Sequence, residues 1–159
     1  MDIRLVRIDD RLIHGQVATV WTKACNINRI LVVSDTVAYD NLRKSLLIQA
    51  APPGVKVNVI TVAKMIEVYP DPRFSKFKAM LLFTNPEDVA RVHQGGVIFT
   101  SVNIGGISFS QGKRMITNAV AIDETDKHFF DYLASEGIEL EIRKVVADSK
   151  VNLIELLKK

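Results

Sequence analysis

Residues 3–24, IRLVRIDDRLIHGQVATVWTKA, run from a strand-like segment through a polar turn into a helix-like segment. The apolar and β-branched residues at positions 3–8 predict a strand. Apolar residues at helical spacing, among them Val17 and Trp21, predict a helix from Gly15 to Ala24. A strand followed directly by a helix is the building unit of sheets that are covered by helices. If this unit repeats, the chain folds as an α/β protein.

The same succession of strand and helix recurs along the rest of the sequence, as in repeated βαβ units around a mainly parallel sheet. The predicted fold is a three-layer α/β/α protein with an open, mainly parallel sheet of about seven strands, in which one edge strand can be antiparallel. Further strands are predicted at residues 29–34, 56–60, 79–83, 97–100, 119–122 and 139–143. Further helices are predicted at residues 41–50, 62–68, 86–94, 124–135 and 151–158.

Local signals support some of these boundaries. Thr61 can cap the helix that follows it, and Asn85 stands before Pro86, a residue that suits the first turn of a helix. Residues 101–114 contain several glycines and show no regular pattern, so we predict a loop there that function can occupy.

Composition limits the class of protein. The chain has 159 residues, 48% hydrophobic and 25% charged, which are globular proportions, and we expect one domain over residues 1–159. Its net charge of +3 is scattered, which tolerates an anionic ligand but does not indicate nucleic-acid binding. No apolar stretch approaches the roughly 20 residues that cross a bilayer, and no signal peptide is visible, so we expect a cytoplasmic protein. The one cysteine, Cys25, is interpreted as core filler.

The turn RIDDRLIHGQ, residues 7–16, is the candidate functional segment. It follows the first predicted strand, and ligands of open α/β sheets bind at the carboxyl edge of the strands. His14 lies close to the start of a helix, where free N–H groups, including those of Gly15 and Gln16, favour an anion such as phosphate. Arg7 and Arg11 can offer planar sets of donors to phosphate oxygens. A hydrogen-bonded structural histidine beside a solvated turn remains the alternative.

Several chemistries do not fit this turn. The three histidines have no metal-ligand spacing, so no metal is expected, and no nucleophile stands where a hydrolase would need one. The pair Asp9–Asp10 is typical of response-regulator receiver domains, but the predicted third and fifth strands end in VNVIT and VIFTS, without the aspartate and lysine of that family. A histidine that carries phosphate does fit, with Asp9 or Asp10 orienting its ring or pairing with an arginine.

With the turn interpreted in this way, the sequence resembles the IIB components of the mannose/fructose/sorbose family of the bacterial phosphoenolpyruvate-dependent sugar phosphotransferase system. The segment RIDDRLIHGQV is the most specific motif of that family. The ending IRKVVADSKVN, residues 142–152, looks more like the sorbose-type branch, which favours sorbose or fructose over mannose as the sugar. Other similar segments are AAPPGVKVNVI at 50–60, LFTNPEDV at 82–89, and VNIGG at 102–106 followed by GK at 112–113.

The resemblance implies a phosphocarrier with transferase activity. His14 would take a phosphoryl group on Nδ1 from a phosphorylated IIA component and pass it to a sugar that the membrane components IIC and IID transport. No metal or organic cofactor is expected, and Arg7 and Arg11 would neutralise the charge on the phosphoryl oxygens. Two other functions stay open at this stage, a regulatory binding module without turnover and a hydrolase. The oligomeric state, including a homodimer, is also open.

Other polar residues are weaker candidates. Thr84 and Ser101 are expected to end neighbouring strands at the same edge, where each could donate a hydroxyl or simply start a loop. The resemblance also points to a loop around Asn103, Gly105 and Gly106 that could approach phosphate or a partner, although a tight turn would need the same glycines. Lys113 and Arg114 could steer an acidic partner or form a solvated charge pair.

Overall fold

The computed structural model describes residues 1–159. The strands are β1 (Asp2–Asp9), β2 (Arg29–Val33), β3 (Lys56–Ile60), β4 (Lys78–Phe83), β5 (Ser101–Gly106), β6 (Arg114–Met115), β7 (Ala121–Ile122), β8 (Glu139–Ile142) and β9 (Val151–Asn152). The helices are α1 (Val17–Ala24), α2 (Asp35–Ala38), α3 (Asn41–Gln49), α4 (Val62–Val68), α5 (Pro86–Gln94), α6 (Glu124–Ser135) and α7 (Leu153–Leu157), and a short 3₁₀ helix spans Pro72–Phe74.

Seven strands form one sheet in the order β3-β2-β4-β1-β5-β8-β9. All neighbouring pairs are parallel except β8 and β9, so the one antiparallel strand lies at the edge. Strands β6 and β7 form a separate antiparallel pair. The predicted sheet of mainly parallel strands is confirmed. Strand β1 lies between β4 and β5, which places the turn that follows it in the middle of the carboxyl edge.

Helices cover both faces of this sheet. Successive residues of the central strand β4 point to opposite faces, so Leu81 belongs to a cluster of 24 buried apolar residues and Leu82 to a cluster of 11. The larger cluster includes residues of α4, α5, α6 and α7, and the smaller one includes residues of α1, α2 and α3. This is the predicted three-layer α/β/α arrangement, and continuous apolar runs such as β4 follow from burial on both faces.

Helices α4, α5 and α6 have the predicted limits. The predicted caps explain two of them, since the Thr61 side chain accepts a hydrogen bond from Lys64 N and the Asn85 side chain accepts one from Asp88 N. Helix α1 begins later than predicted, because Gly15 has a φ of 51° and Gln16 is the N-cap residue. A φ in this range is one that glycine adopts without steric cost.

The predicted strand at 97–100 is wrong, and so is the predicted loop over the first part of 101–114. Val97 N still donates to Val92 O at the end of α5, Ile98 is 73% exposed, and the strand starts only at Ser101. Residues 97–100 are β-branched or aromatic and have strand propensity. However, the residues that are buried in the sheet are those of Ser101–Gly106, so tertiary packing determines where the strand forms.

Two other predictions at the end of the chain need correction. The predicted strand 119–122 supplies only β7, which pairs with β6 outside the main sheet. The predicted helix 151–158 begins with β9, which pairs with β8 and completes the sheet of seven strands, while α7 covers only Leu153–Leu157. Both strands have two residues, too few for a recognisable period.

Candidate functional site

The turn between β1 and α1 begins where β1 ends, at Asp9. Asp10 N donates to the carbonyl of Gly106, and Leu12 N donates to the carbonyl of Asp9, so the turn is fixed both to β5 and to its own strand. Leu12 takes a positive φ of 61°, which is uncommon for a leucine, and its side chain is buried. These constraints give the residues that follow, including His14, a defined position at the carboxyl edge.

Asp9 is the centre of the polar cluster at this edge. Its side chain is only 1% exposed. Its Oδ2 lies 2.8 Å from His14 Nε2 and accepts a hydrogen bond of 3.1 Å from Arg7 Nη2. Its Oδ1 accepts from the backbone N–H of Arg11 at 3.1 Å. One buried carboxylate therefore joins the strand, the turn and the imidazole.

The contact with Asp9 determines how the His14 ring is held. A carboxylate can only accept hydrogen bonds, so the proton of the neutral ring lies on Nε2 and the lone pair lies on Nδ1. Nδ1 makes no hydrogen bond within the protein, and the side chain is 21% exposed. The geometry leaves Nδ1 as the nitrogen that can act as a nucleophile.

Arg7 lies deeper than the sequence predicted. Its side chain is 3% exposed, and it donates to Asp9 and to the carbonyl oxygens of Arg143 and Lys144. Its guanidinium also donates to Asn103 Oδ1 and lies 5.3 Å from the centroid of the Trp21 ring. These contacts differ from the predicted role of a direct phosphate ligand, because the terminal nitrogens Nη1 and Nη2 already face acceptors of the protein.

Burial lowers the pKa of Arg7 below its usual value, and the neighbouring Asp9 carboxylate opposes that shift. The cause is desolvation, which disfavours the charged form of any buried group. Arginine nevertheless stays protonated in proteins, so Arg7 acts as a fixed positive charge beside Asp9.

Arg11 and the start of α1 have the properties expected of a site for an anion. The Arg11 side chain is 53% exposed, its Nε lies 3.9 Å from Asp9 Oδ1, and its guanidinium makes no hydrogen bond. Gln16 precedes α1 without a side-chain cap, and Val20 is the first residue of the helix to donate to a helical carbonyl, that of Gln16. The first N–H groups of α1 therefore remain available beside His14.

Asp10 has a different place from Asp9. Its Oδ2 accepts from Ser108 N at 2.7 Å and its Oδ1 accepts from Ser108 Oγ at 3.0 Å. The hydrogen bond to His14 comes from Asp9 and not from Asp10, so the structure distinguishes the two aspartates that the sequence left equivalent. Asp10 fastens the turn to the segment after β5, while Asp9 contacts the ring.

Residues 103–106 support the site from β5. Asn103 Nδ2 donates to the carbonyl of Arg143, and its Oδ1 accepts from Arg7. Gly105 packs against the Arg7 guanidinium, and Gly106 accepts from Asp10 N. These residues lie in a strand rather than in the predicted loop, and neither Gly105 nor Gly106 has a positive φ.

The remaining candidates lie away from the imidazole. Thr84 follows β4 at the carboxyl edge, and its hydroxyl accepts from Asn85 Nδ2. The expected position of Ser101 is wrong, because it begins β5 at the amino edge and donates to Glu139. Lys113 pairs with Asp126 at 2.8 Å and is thus not free to steer a partner, whereas Arg114 is exposed in β6.

An open cleft of about 350 Å³ lies beside the turn. Arg11 and Lys144 supply positive charge there, and Phe109 and Met115 supply apolar surface that is largely exposed. Asp10, Ser108, Asn118 and residues 105–107 also line the cleft. Such a mixed, open surface can receive a macromolecular partner that must reach His14.

Sequence reasoning missed the acceptors in the turn after β8. The carbonyl of Lys144 accepts both from Arg7 and from Trp21 Nε1, so it joins the site to the first helix. Every residue has a backbone carbonyl, so the residue type at position 144 could not indicate that its carbonyl accepts hydrogen bonds at the site. The one available signal was position, since the predicted strand 139–143 placed this turn at the same carboxyl edge. Trp21 itself is buried.

The structure contains no group of three or more histidine, cysteine, aspartate or glutamate side chains that could hold a metal ion. No helix has the length and apolar character needed to cross a membrane. The chemistry available at the carboxyl edge is that of an oriented imidazole, a buried carboxylate and positive donors.

Comparisons with known proteins agree along the whole chain. A family model described as the PTS system sorbose subfamily IIB component matches residues 3–159. The chain is 57% identical over 159 residues to the PTS system mannose-specific EIIAB component of Escherichia coli, a match that covers 100% of the chain and 49% of that protein. The chain thus spans about half the length of the mannose-specific relatives that it matches.

Two further relatives match over nearly their full length. The PTS system sorbose-specific EIIB component of Lacticaseibacillus casei is 47% identical over 154 residues, which cover 97% of this chain and 94% of that protein. The crystal structure of the IIBSor domain of the sorbose permease from Klebsiella pneumoniae superposes with a TM-score of 0.97 at 44% identity, covering 99% of this chain and 97% of that one. The fold and the family of this chain are therefore shared with these proteins.

Proposed function

The chain belongs to the sorbose subfamily of IIB components of the bacterial sugar phosphotransferase system, and from this premise we propose that it is a phosphocarrier whose His14 accepts and donates a phosphoryl group. The observation that carries the proposal is the contact between His14 Nε2 and buried Asp9, which leaves Nδ1 unprotonated and unpaired. We propose that the whole chain, residues 1–159, is one IIB domain that works with a IIA component and with membrane components IIC and IID.

In the first step, the Nδ1 lone pair of His14 attacks the phosphorus atom of a phosphohistidine on IIA. A bond forms between Nδ1 and phosphorus, the bond between phosphorus and the donor nitrogen breaks, and its electron pair stays with the donor ring. The His14 ring keeps its proton on Nε2 and becomes positively charged, and the Asp9 carboxylate stabilises that charge. Asp9 thus acts on the ring and stays away from the phosphoryl oxygens, which it would repel.

The phosphoryl oxygens need positive donors, because the transition state of phosphoryl transfer is loose and spreads charge over three oxygens. Arg11 is the arginine with free donors beside His14, and the first N–H groups of α1, with those of Gly15 and Gln16, add to it. Arg7 contributes through Asp9, since its terminal nitrogens Nη1 and Nη2 already donate to acceptors of the protein.

In the second step, a sugar hydroxyl attacks the phosphorus on His14. The bond between Nδ1 and phosphorus breaks, its electron pair returns to Nδ1, and the hydroxyl proton leaves to solvent. Both steps require a partner to approach His14 closely, and the partly exposed ring and the open cleft beside it suit this requirement. No cofactor is needed, and we propose that transfer takes place at the cytoplasmic face of the membrane.

Labelling by phosphorylated IIA tests the first step. The protein should acquire a label that is stable in alkali and labile in acid, and nitrogen-15 NMR should place it on Nδ1. The His14→Ala variant should acquire none, and the matched control His128→Ala, altered on α6, should be labelled as the unsubstituted protein is. Equal labelling of His14→Ala would refute the assignment.

Membranes that contain IIC and IID test the second step. Labelled protein should lose its phosphoryl group to sugar, and competition among mannose, sorbose and fructose should identify which one. The ending of the sequence favours sorbose or fructose, whereas the 57% identical relative is mannose-specific, so the competition decides between them. Labelling without any transfer to sugar would indicate a binding module, and release of phosphate without a partner would indicate a hydrolase.

A further inference from the structure

Arg7 makes an unusual set of contacts for a residue beside a nucleophile. It is almost completely buried, yet its guanidinium bonds Asp9, Asn103 and the carbonyls of Arg143 and Lys144. Because these acceptors come from β1, β5 and the turn after β8, the guanidinium has one well-defined position. Moving it would break several buried hydrogen bonds at once.

The Arg7 guanidinium can take this position only because residue 105 is a glycine. A Cβ atom added at Gly105 would lie 2.1 Å from Arg7 Nη2 and 2.2 Å from its Cζ, far inside van der Waals contact. The neighbouring Gly106 is different, since its added Cβ would lie no closer than 3.6 Å to any atom, an ordinary contact. Neither glycine has a positive φ, so the need for glycine at 105 comes from the guanidinium and not from the backbone.

The charge of Arg7 matters because Asp9 is buried. An ionised carboxylate without water needs a positive partner, and loss of that partner leaves an uncompensated buried charge. Arg7 Nη2 and His14 Nε2 both contact the same oxygen, Oδ2. If Arg7 moved away, Asp9 Oδ2 would lose one of its two donors and would no longer be held against His14 Nε2–H, the contact that fixes the tautomer of the ring.

We propose that Asn103 and Gly105 are positioning residues for phosphoryl transfer, which hold Arg7 against Asp9 and thereby keep Nδ1 of His14 as the unprotonated nitrogen. Asn103 does so by accepting from Arg7 while its own amide donates to the carbonyl of Arg143. Gly105 does so by leaving the space that the guanidinium fills. The proposal rests on the proposed function for its effect on transfer, but its effect on the tautomer is independent of that function.

The decisive comparison is between Gly105→Ala and Gly106→Ala, two identical changes on adjacent residues of β5. In Gly105→Ala, nitrogen-15 NMR should show His14 as a mixture of tautomers, and transfer from phosphorylated IIA should slow by about 10- to 100-fold in kcat with little change in KM. Gly106→Ala, whose added Cβ makes only ordinary contacts, should keep one tautomer. The control for the rate is Ser101→Ala, at the amino edge of the same strand, which should stay within about twofold of the original. A folded Gly105→Ala protein with the original tautomer and rate would overturn the proposal.

A double-mutant cycle of Gly105→Ala with Arg7→Lys tests whether Gly105→Ala acts through a clash with the guanidinium or through a distortion of β5. If the clash is the cause, Gly105→Ala should have no further effect on the tautomer or the rate once the guanidinium is gone, so the two changes should be strongly non-additive. Additive effects would contradict the proposal.

Asn103→Leu gives a second test, in which Gly105 is unchanged and no Cβ atom is added next to Arg7. It removes the acceptor at similar volume and should shift the tautomer in the same direction, with Ser101→Ala on the same strand as the control. An Asn103→Leu protein with the original tautomer would count against the role of Asn103. If the unsubstituted protein took no phosphate at all, the proposed function would fail, while the tautomer measurements would still decide this proposal.

Discussion

At the scale of single residues, Asp9 and Asp10 show how much a strand determines. Side chains of a strand alternate between its two sides, so Arg7 and Asp9 share one side of β1, whereas Asp10 follows the end of the strand. The structure follows this rule, with Arg7 and Asp9 in a buried ion pair and Asp10 bonded to Ser108. The alternation was available in the sequence and could have favoured Asp9 as the residue that contacts His14. It could not have shown that both terminal nitrogens of Arg7 donate to acceptors within the protein.

The exposed Arg11 is expected to serve transfer and not stability. Because its guanidinium makes no hydrogen bond in the protein, Arg11→Ala should change the free energy of unfolding by less than about 0.5 kcal/mol. Transfer from phosphorylated IIA should slow by about 10²- to 10³-fold, the usual effect of removing one donor from a developing charge.

The control for Arg11 is Lys23→Ala, which removes an exposed positive charge from the last turn of α1. Labelling rates and urea unfolding of both variants give the two quantities. If Arg11→Ala and Lys23→Ala slowed transfer equally and only slightly, Arg11 would contribute no more than its share of the net positive charge. It would then not bind the phosphoryl oxygens directly.

At the scale of elements, the length of each helix or strand and the capping residues at its ends determined whether the sequence could predict it. Helix α6 has twelve residues and a capping box between Asp123 and Asp126, and its limits were predicted correctly. Helix α2 has four residues and β9 has two, and both were missed because so few residues show no period. The sequence predicts a loop at strand β5 because of its two glycines, but Gly105 is explained by its close contact with the Arg7 side chain from the neighbouring strand β1.

The cap of α6 makes a prediction about stability and pH. The backbone N–H of Asp126 donates to the Asp123 side chain and lowers the pKa of Asp123 below its usual value. A lowered pKa in the folded state means that the ionised cap stabilises the protein above the pKa of the unfolded state and loses this effect as the pH falls through the folded pKa. Asp123→Ala should therefore cost about 0.5 to 2 kcal/mol at pH 7.

Urea unfolding of the original protein and of Asp123→Ala at several pH values measures this cost. The difference should shrink once the pH falls below about 4. Asp131→Ala is the matched control, since it removes an exposed aspartate from the same helix that pairs only with Lys127. A cost that stayed constant down to low pH would mean that the charge of Asp123 is not what stabilises the helix.

At the scale of the whole molecule, the sheet is packed on both faces and the site lies at one edge. This placement could be predicted, because the order of strands and helices fixes a parallel sheet and ligands bind at its carboxyl edge. The cleft beside the turn could not, because it is formed by residues as distant in sequence as Arg11, Phe109 and Lys144. Only the folded chain brings such residues together.

The two-sided core predicts the stability of the molecule. Leu81 and Leu82 are adjacent in β4, almost fully buried, and point to opposite faces. Changing either one to alanine should lower the free energy of unfolding by about 2 to 5 kcal/mol, since each leaves a cavity in a different core. Ile98→Ala is the control, because Ile98 is exposed and its loss should cost less than about 0.5 kcal/mol. Urea unfolding gives all three values, and a negligible cost at either leucine would contradict a core on that face.

Trp21 is the only tryptophan of the chain, and the centroid of its ring lies 5.3 Å from Cζ of Arg7 and 5.0 Å from Cζ of Arg143. Its N–H also bonds the carbonyl of Lys144, so the ring contacts the same elements that position His14. The protein thus contains a single tryptophan fluorophore close to the charged groups of the candidate site. Its fluorescence emission can therefore be used, without an attached dye, to monitor both a change of charge on His14 and the unfolding of the protein.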